Sequence, residues 1–247
     1  MEAIPPHPAQ NGAVKRDPIV VERFRGEEVT ARYRFKQFIG RFADSVVATG
    51  GITLILVPFL IIATLTLDLP MTHFDGWATA EAMRPSQWMA RGDLVMAICV
   101  LSMVLMTRRF GASFVSRAWG FSWLVLVLLS GLMLLYLSPQ LTAGDMPRGL
   151  YAVGFVTGWY IGGEVMIRFY DALRGSRWWR APLLAGLFGF TAQAILFFPL
   201  AYHGTTAPWG LWLVADIGVK VFLCVLFLGV YRMMRPKLIP RVGLGGR

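Results

Sequence analysis

An all-α, six-helix transmembrane bundle is the fold this sequence predicts, and three observations predict it. Hydrophobic residues make up 56% of the 247, charged residues only 15%, and the mean hydropathy is +0.57. A soluble domain carries about 25% charged residues. Six stretches approach the roughly 20 apolar residues that a bilayer-crossing helix needs. The basic residues, finally, collect in every second connection between those stretches. Such a composition excludes an ordinary water-soluble enzyme, and it excludes disorder of the whole chain, which needs low hydrophobicity.

The chain divides into a polar N-terminal tail over residues 1–44, a six-span membrane domain over 45–234, and a basic C-terminal tail over 235–247. Pro5, Pro6 and Pro8 open a segment of disordered composition. Over about 28–44, Phe35, Phe38, Ile39 and Phe42 recur at helical spacing among Arg32, Arg34, Lys36 and Arg41. That pattern predicts a basic amphipathic helix lying in the membrane surface, a simple interfacial anchor in preference to a partner-binding or lipid-sensing arm. No secretory leader is expected, because these residues lack a short apolar run with a cleavage site.

The first span, 45–67, holds no charge anywhere in it. The second, 92–107, is the weakest, bounded by Arg91 and Asp93 in front and by Arg108 and Arg109 behind. The third is 118–137, the fourth 149–167 with Glu164 inside it, the fifth 181–202, and the sixth 209–231 with Asp216 and Lys220. The two tails and the second-to-third and fourth-to-fifth loops together hold 20 basic residues, and the remaining loops only Arg84, Arg91 and Arg148. Positive charge marks the cytoplasmic side, so both termini are expected inside. The net charge of +10 is thus a signal of topology, and no nucleic-acid partner is expected. Trp77, Trp88, Trp178, Trp179 and Trp209 fall near span ends, where amphipathic rings favour the interface.

Chemistry-bearing residues are few. Cys99 and Cys224 lie within apolar runs, and His7, His73 and His203 lie outside the spans, so neither a disulfide framework nor a metal or haem site is expected. No nucleophile–base pair, carboxylate dyad or phosphate-binding loop is present, and an enzymatic role is not expected. Ionisable groups inside spans are functional candidates by default. Asp216 and Lys220 stand four apart and face the same way, able to pair. Glu164 stands four before Arg168, where a Glu–Arg pair near the headgroups is the plainer reading and a substrate contact the sharper one. Gln193 lies mid-span, where its amide must find a partner in another helix or in a ligand. Asp93 reads as solvated. Gly158, Gly162, Gly163, Gly186 and Gly189 allow close helix packing, and Pro58 and Pro199 are sites where spans can bend.

The stretch ALRGSRWWRAPLLAGLFGFTAQAILFFPLAY (172–202), the stretch VADIGVKVFLCVLF (214–227) and the loop RRFGASFVSR (108–117) resemble the VUT family of queuosine-precursor transporters. Asp216 and Lys220 match that family's Asp-x-x-x-Lys helix. The resemblance implies a bacterial inner-membrane importer of a deazapurine base such as 7-cyano-7-deazaguanine, with no cofactor. Positions that the family tends to hold as Asp are here Val104, Met166 and Gln193. On this reading Asp216 accepts substrate N–H groups, Lys220 keeps it ionised, Gln193 reads a second edge, and Trp212 and Phe197 stack on the ring, with Glu164 a further candidate. A homo-oligomer or a partner docked on the N-terminal tail is left open. The rival expectation is a non-transporting accessory or scaffold subunit, in which the Asp216–Lys220 pair locks helices together.

Overall fold

The structure is a computed structural model; it describes residues 31–77, 80–140, 148–175 and 177–240, without the side chains of 31–44 and 77. Among the described residues every regular element is helical. The helices are α1 (Ala31–Leu65), α2 (Arg91–Phe110), α3 (Ala112–Leu137), α4 (Gly149–Ala172), α5 (Arg180–Ala201) and α6 (Trp209–Met234). Three short 3-10 turns, Thr72–Trp77, Glu81–Met83 and Pro85–Gln87, join α1 to α2. The chain divides into two units, Met1–Asp44 and Ser45–Arg247. Of the first, the backbone of residues 31–44 is helical. The disorder expected for the opening residues, the apolar face expected over 28–44 and the end of the C-terminal tail lie outside the described residues.

Five helical segments are long and apolar enough to cross a membrane: Ser45–Leu65, Ala112–Gln140, Gly149–Ala172, Arg180–Ala201 and Trp209–Met234. The chain is therefore a multi-pass membrane protein in composition and helix length. α2 is not among the five, because Arg91 and Asp93 at its start and Arg108 and Arg109 at its end confine its uncharged stretch to 94–107. It is nonetheless packed deep in the bundle. Met96, Val100, Met103 and Val104 are buried on it, while α3 and α6 carry broad exposed apolar faces such as Leu128, Leu132, Phe222 and Leu226. A helix screened by its neighbours does not need the hydropathy of one that faces lipid.

The ends of α2 are held at opposite ends of the bundle. At its start the Gly92 N–H donates to the Thr66 carbonyl at 3.2 Å, and a Cβ on Gly92 would collide with the Ala63 carbonyl oxygen of α1. Asp93 caps the helix by accepting from the Ala90 N–H at 3.0 Å, a carboxylate favourably placed at a helix N-terminus. At its far end Arg108 Nε donates to the Leu238 carbonyl (3.2 Å), and Arg174 Nη2 donates to the Thr107 carbonyl. The basic loops around Arg108 and Arg174 and the chain after α6 thus meet at one end, as the charge pattern requires. Gly111, at φ 86°, turns α2 into α3 with one intervening residue, in a region that a side chain disfavours.

The tightest packing joins α4 to α5, and it depends on small residues. Built Cβ atoms would lie 3.1 Å from the Gln193 carbonyl oxygen at Gly158, 2.6 Å from Gln193 Cβ at Gly162, and 2.8 Å from the Gly162 carbonyl oxygen at Gly189. Gly154 continues the row, at 3.1 Å from the Ala201 nitrogen. Helices in lipid associate through such close backbone approach, since apolar burial drives little there. Gly162→Val is expected to lower the melting temperature of the detergent-solubilised protein, at a cost of about 1–3 kcal/mol. Gly229→Ala, whose Cβ would meet nothing within 4 Å, is expected to leave the melt unchanged or raise it.

Candidate functional site

Three of the expected residues come together. Lys220 Nζ donates to Asp216 Oδ2 at 2.5 Å and to Gln193 Oε1 at 2.5 Å. The ammonium also lies 4.7 Å from the centroid of the Trp159 ring and 5.8 Å from that of Phe190. Lys220, Asp216 and Gln193 are 4%, 5% and 1% exposed, so a charge pair is held away from solvent by groups from α4, α5 and α6. Helical spacing makes the Asp–Lys contact and the glycine row makes the rest: Gly158 and Gly162 bring the α4 backbone against Gln193. A buried ion pair of this kind is tolerated only when its remaining hydrogen-bonding groups are met, and the aromatic faces add cation–π attraction.

The lysine ammonium has two acceptors and two ring faces, while its acceptors keep polar atoms of their own to spare. Among the described residues nothing hydrogen-bonds Asp216 Oδ1 or the Gln193 Nε2 amide. The Trp159 indole N–H is buried without a partner, as is that of Trp123 two rings along a Trp123–Phe155–Trp159–Phe190 series. The cluster thus pairs one open carboxylate acceptor with open amide donors, set beside aromatic faces.

The other expected residues lie elsewhere. Phe197 and Trp212 belong to an aromatic group with Tyr151 and Tyr202: Tyr151–Phe197 centroids are 5.4 Å apart and Tyr202–Trp212 centroids 5.2 Å. Trp212 Nε1 also donates to the Ala82 carbonyl at 2.7 Å, tying α6 to the α1–α2 connection. Glu164 faces α3, where the Ser116 hydroxyl donates to it at 2.6 Å, and it pairs with Arg168 at 3.3 Å. Met166, two residues on, is instead fully buried against Gly189.

Sequence reasoning missed Asp93. It lines a cleft of about 290 Å³ with Asp68, Trp88, Tyr151 and Tyr202, at the end of the bundle opposite Arg108 and Arg174, and lies within electrostatic reach of both Lys220 and Asp216. Its N3 position after Ala90 is an acid at a helix start, a signal that reads first as capping. At the rim, the Ser86 N–H donates to Asp75 Oδ1 at 2.9 Å and, with Arg84 nearby, holds that carboxyl below the usual carboxylate range. The chain matches no protein family, curated protein or solved structure with which it was compared. No three His, Cys, Asp or Glu side chains gather as a metal site among the described residues.

Lys220→Met is expected to destabilise the protein by about 3–5 kcal/mol, because it strands the Asp216 charge. Adding Asp216→Leu is expected to restore most of that loss, since an apolar pair of similar volume needs no partner. Unfolding of the three proteins in detergent reads both effects.

Proposed function

We propose that the chain is a membrane transporter for a queuosine precursor of the 7-cyano-7-deazaguanine type, or for a related small heteroaromatic solute. The observation that carries this reading is the half-met cluster of Asp216, Lys220 and Gln193. A lactam-containing base presents N–H donors beside a carbonyl acceptor on one edge. Asp216 Oδ1 would accept from its N–H groups and the Gln193 amide would donate to its carbonyl. Lys220 holds Asp216 oriented, and the Trp159 and Phe190 faces border the cluster. The resemblance of residues 108–117, 172–202 and 214–227 to queuosine-precursor transporters supports the same assignment.

In this reading α2 counts as a sixth span, its 20 residues giving a length of about 30 Å, and both termini face the cytoplasm of a bacterium across its inner membrane. The Asp93 cleft is the outer approach. Trp212 and Phe197 then act on the solute as it arrives, through the aromatic group beside that cleft, while Glu164 serves the α3–α4 contact. No covalent chemistry is required of any of these residues.

An accessory or scaffold role is favoured by one observation: the ammonium of Lys220 is held by two acceptors and two aromatic rings of its own chain, as a helix lock requires. One experiment separates the two. The chain is expressed in a bacterium lacking its own importer and precursor synthesis, precursor is supplied at low concentration, and queuosine in transfer RNA is assayed. Transport predicts restored queuosine, lost in Asp216→Asn at equal protein level. Scaffolding predicts no queuosine from the wild type, with Asp216→Asn lowering the amount of protein.

A further inference from the structure

The arginine-rich end of the bundle carries a second feature, which the cluster of Lys220 does not use. Arg108 at the end of α2, Arg232 and Arg235 at the end of α6, and Trp178 just before α5 surround a cleft of about 410 Å³. Among the described residues no carboxylate lines it. The Arg232 guanidinium lies 5.8 Å from the Trp178 ring centroid, and Arg108 is fixed by its bond to the Leu238 carbonyl. Among the described residues none of the three arginines forms an ion pair. Three like charges converging on one space repel one another, and an anion in that space relieves the repulsion.

We propose that this cleft binds a phosphate group, and that the phosphate is the headgroup of an anionic phospholipid. The phosphate chemistry follows from the planar, multidentate donors of arginine, which suit tetrahedral oxyanions. The lipid source follows from position. Arg232 stands in the last turn of α6, and Val221 and Val225, on the same face of that helix, are exposed, giving acyl chains an apolar wall below the headgroup. Tryptophan beside the cleft is the residue that marks headgroup depth. Basic pockets between membrane helices bind such headgroups through these forces. The inference rests on the membrane-spanning helices alone and is independent of what, if anything, the protein transports.

The test uses the full chain in nanodiscs of phosphatidylcholine doped with phosphatidylglycerol, with bound lipid read by native mass spectrometry. The wild type is expected to retain phosphatidylglycerol over phosphatidylcholine, and the double variant Arg232→Gln, Arg235→Gln to lose about thirtyfold in that preference. The charge-matched control Arg91→Gln, Arg148→Gln, at the other end of the molecule, is expected to keep it. Equal retention of the two lipids by the wild type, or an equal loss in the control, overturns the site. Inorganic phosphate is the second arm: if it displaces the lipid fully at low millimolar concentration, the source is a soluble anion and the lipid assignment fails. The wild type alone gives a further reading, since retention is expected to fall as salt rises from about 0.1 M to about 1 M. Salt-independent retention overturns the electrostatic basis.

Discussion

A lysine ammonium enclosed by apolar helices must be matched by its own chain, and this requirement organises the centre of the molecule. Taking the charge out of water costs several kcal/mol per ion even after relaxation, so the groups that surround Lys220 are held in place by more than their own packing preferences. Asp216 comes from the same helix, Gln193 from α5, and the rings of Trp159 and Phe190 from α4 and α5. Three helices are thereby tied at one depth. The same interaction fixes which face of α6 turns inward: Trp212, Asp216, Lys220, Cys224, Phe227 and Tyr231 are its buried residues, flanked by partly buried Leu213, Ile217 and Leu223, with Val214, Phe222 and Leu226 on the exposed face.

The glycine row of α4 is what makes this match geometrically attainable. Gly158 and Gly162 seat Gln193 and Trp159 side by side, and Gly186 lets α5 approach α6, where a Cβ would lie 2.6 Å from Cys224 Sγ. The large rings of Trp159 and Trp119 occupy the volume that the glycines release on either side, Trp119 lying against Gly163 and donating its indole N–H to the Tyr160 carbonyl at 3.0 Å. Small and large residues thus alternate along α4 for a single reason. The polar contacts at the arginine-rich end, including the Tyr170–Tyr231 hydroxyl pair at 2.8 Å, then close the same α4–α6 seam.

Local rules made part of this legible and left part hidden. The Asp216–Lys220 and Glu164–Arg168 pairs follow from four-residue spacing alone, and both are present. That Gln193 needed a partner followed from its depth; that the partner is Lys220 did not, because it depends on the rotation of α5 about its axis. Trp212 and Phe197 were expected beside the cluster on the strength of being aromatic and nearby in sequence, but one turn separates Trp212 from Asp216, and a turn is about 5.4 Å, enough to place the ring in a different group. Ser116 beside Glu164 and Asp93 beside the outer cleft were invisible because a serine in a loop-like stretch and an acid at a helix start each have an ordinary local explanation. Helix existence was legible throughout. α2 differs from the other five because burial inside the bundle relaxes the demand for hydropathy.

Gly111 has a consequence for how the molecule can move. With one residue between Phe110 and Ala112, the connection between α2 and α3 has no slack, and its freedom is two backbone torsions held at φ 86° and ψ 159°. Axial sliding of one helix past the other would require chain length that the joint does not have. Relative displacement of the two is therefore confined to pivoting about that corner, with amplitudes smallest beside it and growing toward the far end, where Asp93 and its cleft lie. At that far end α2 is itself tied to α1 through Gly92, so the partner that pivots is α3.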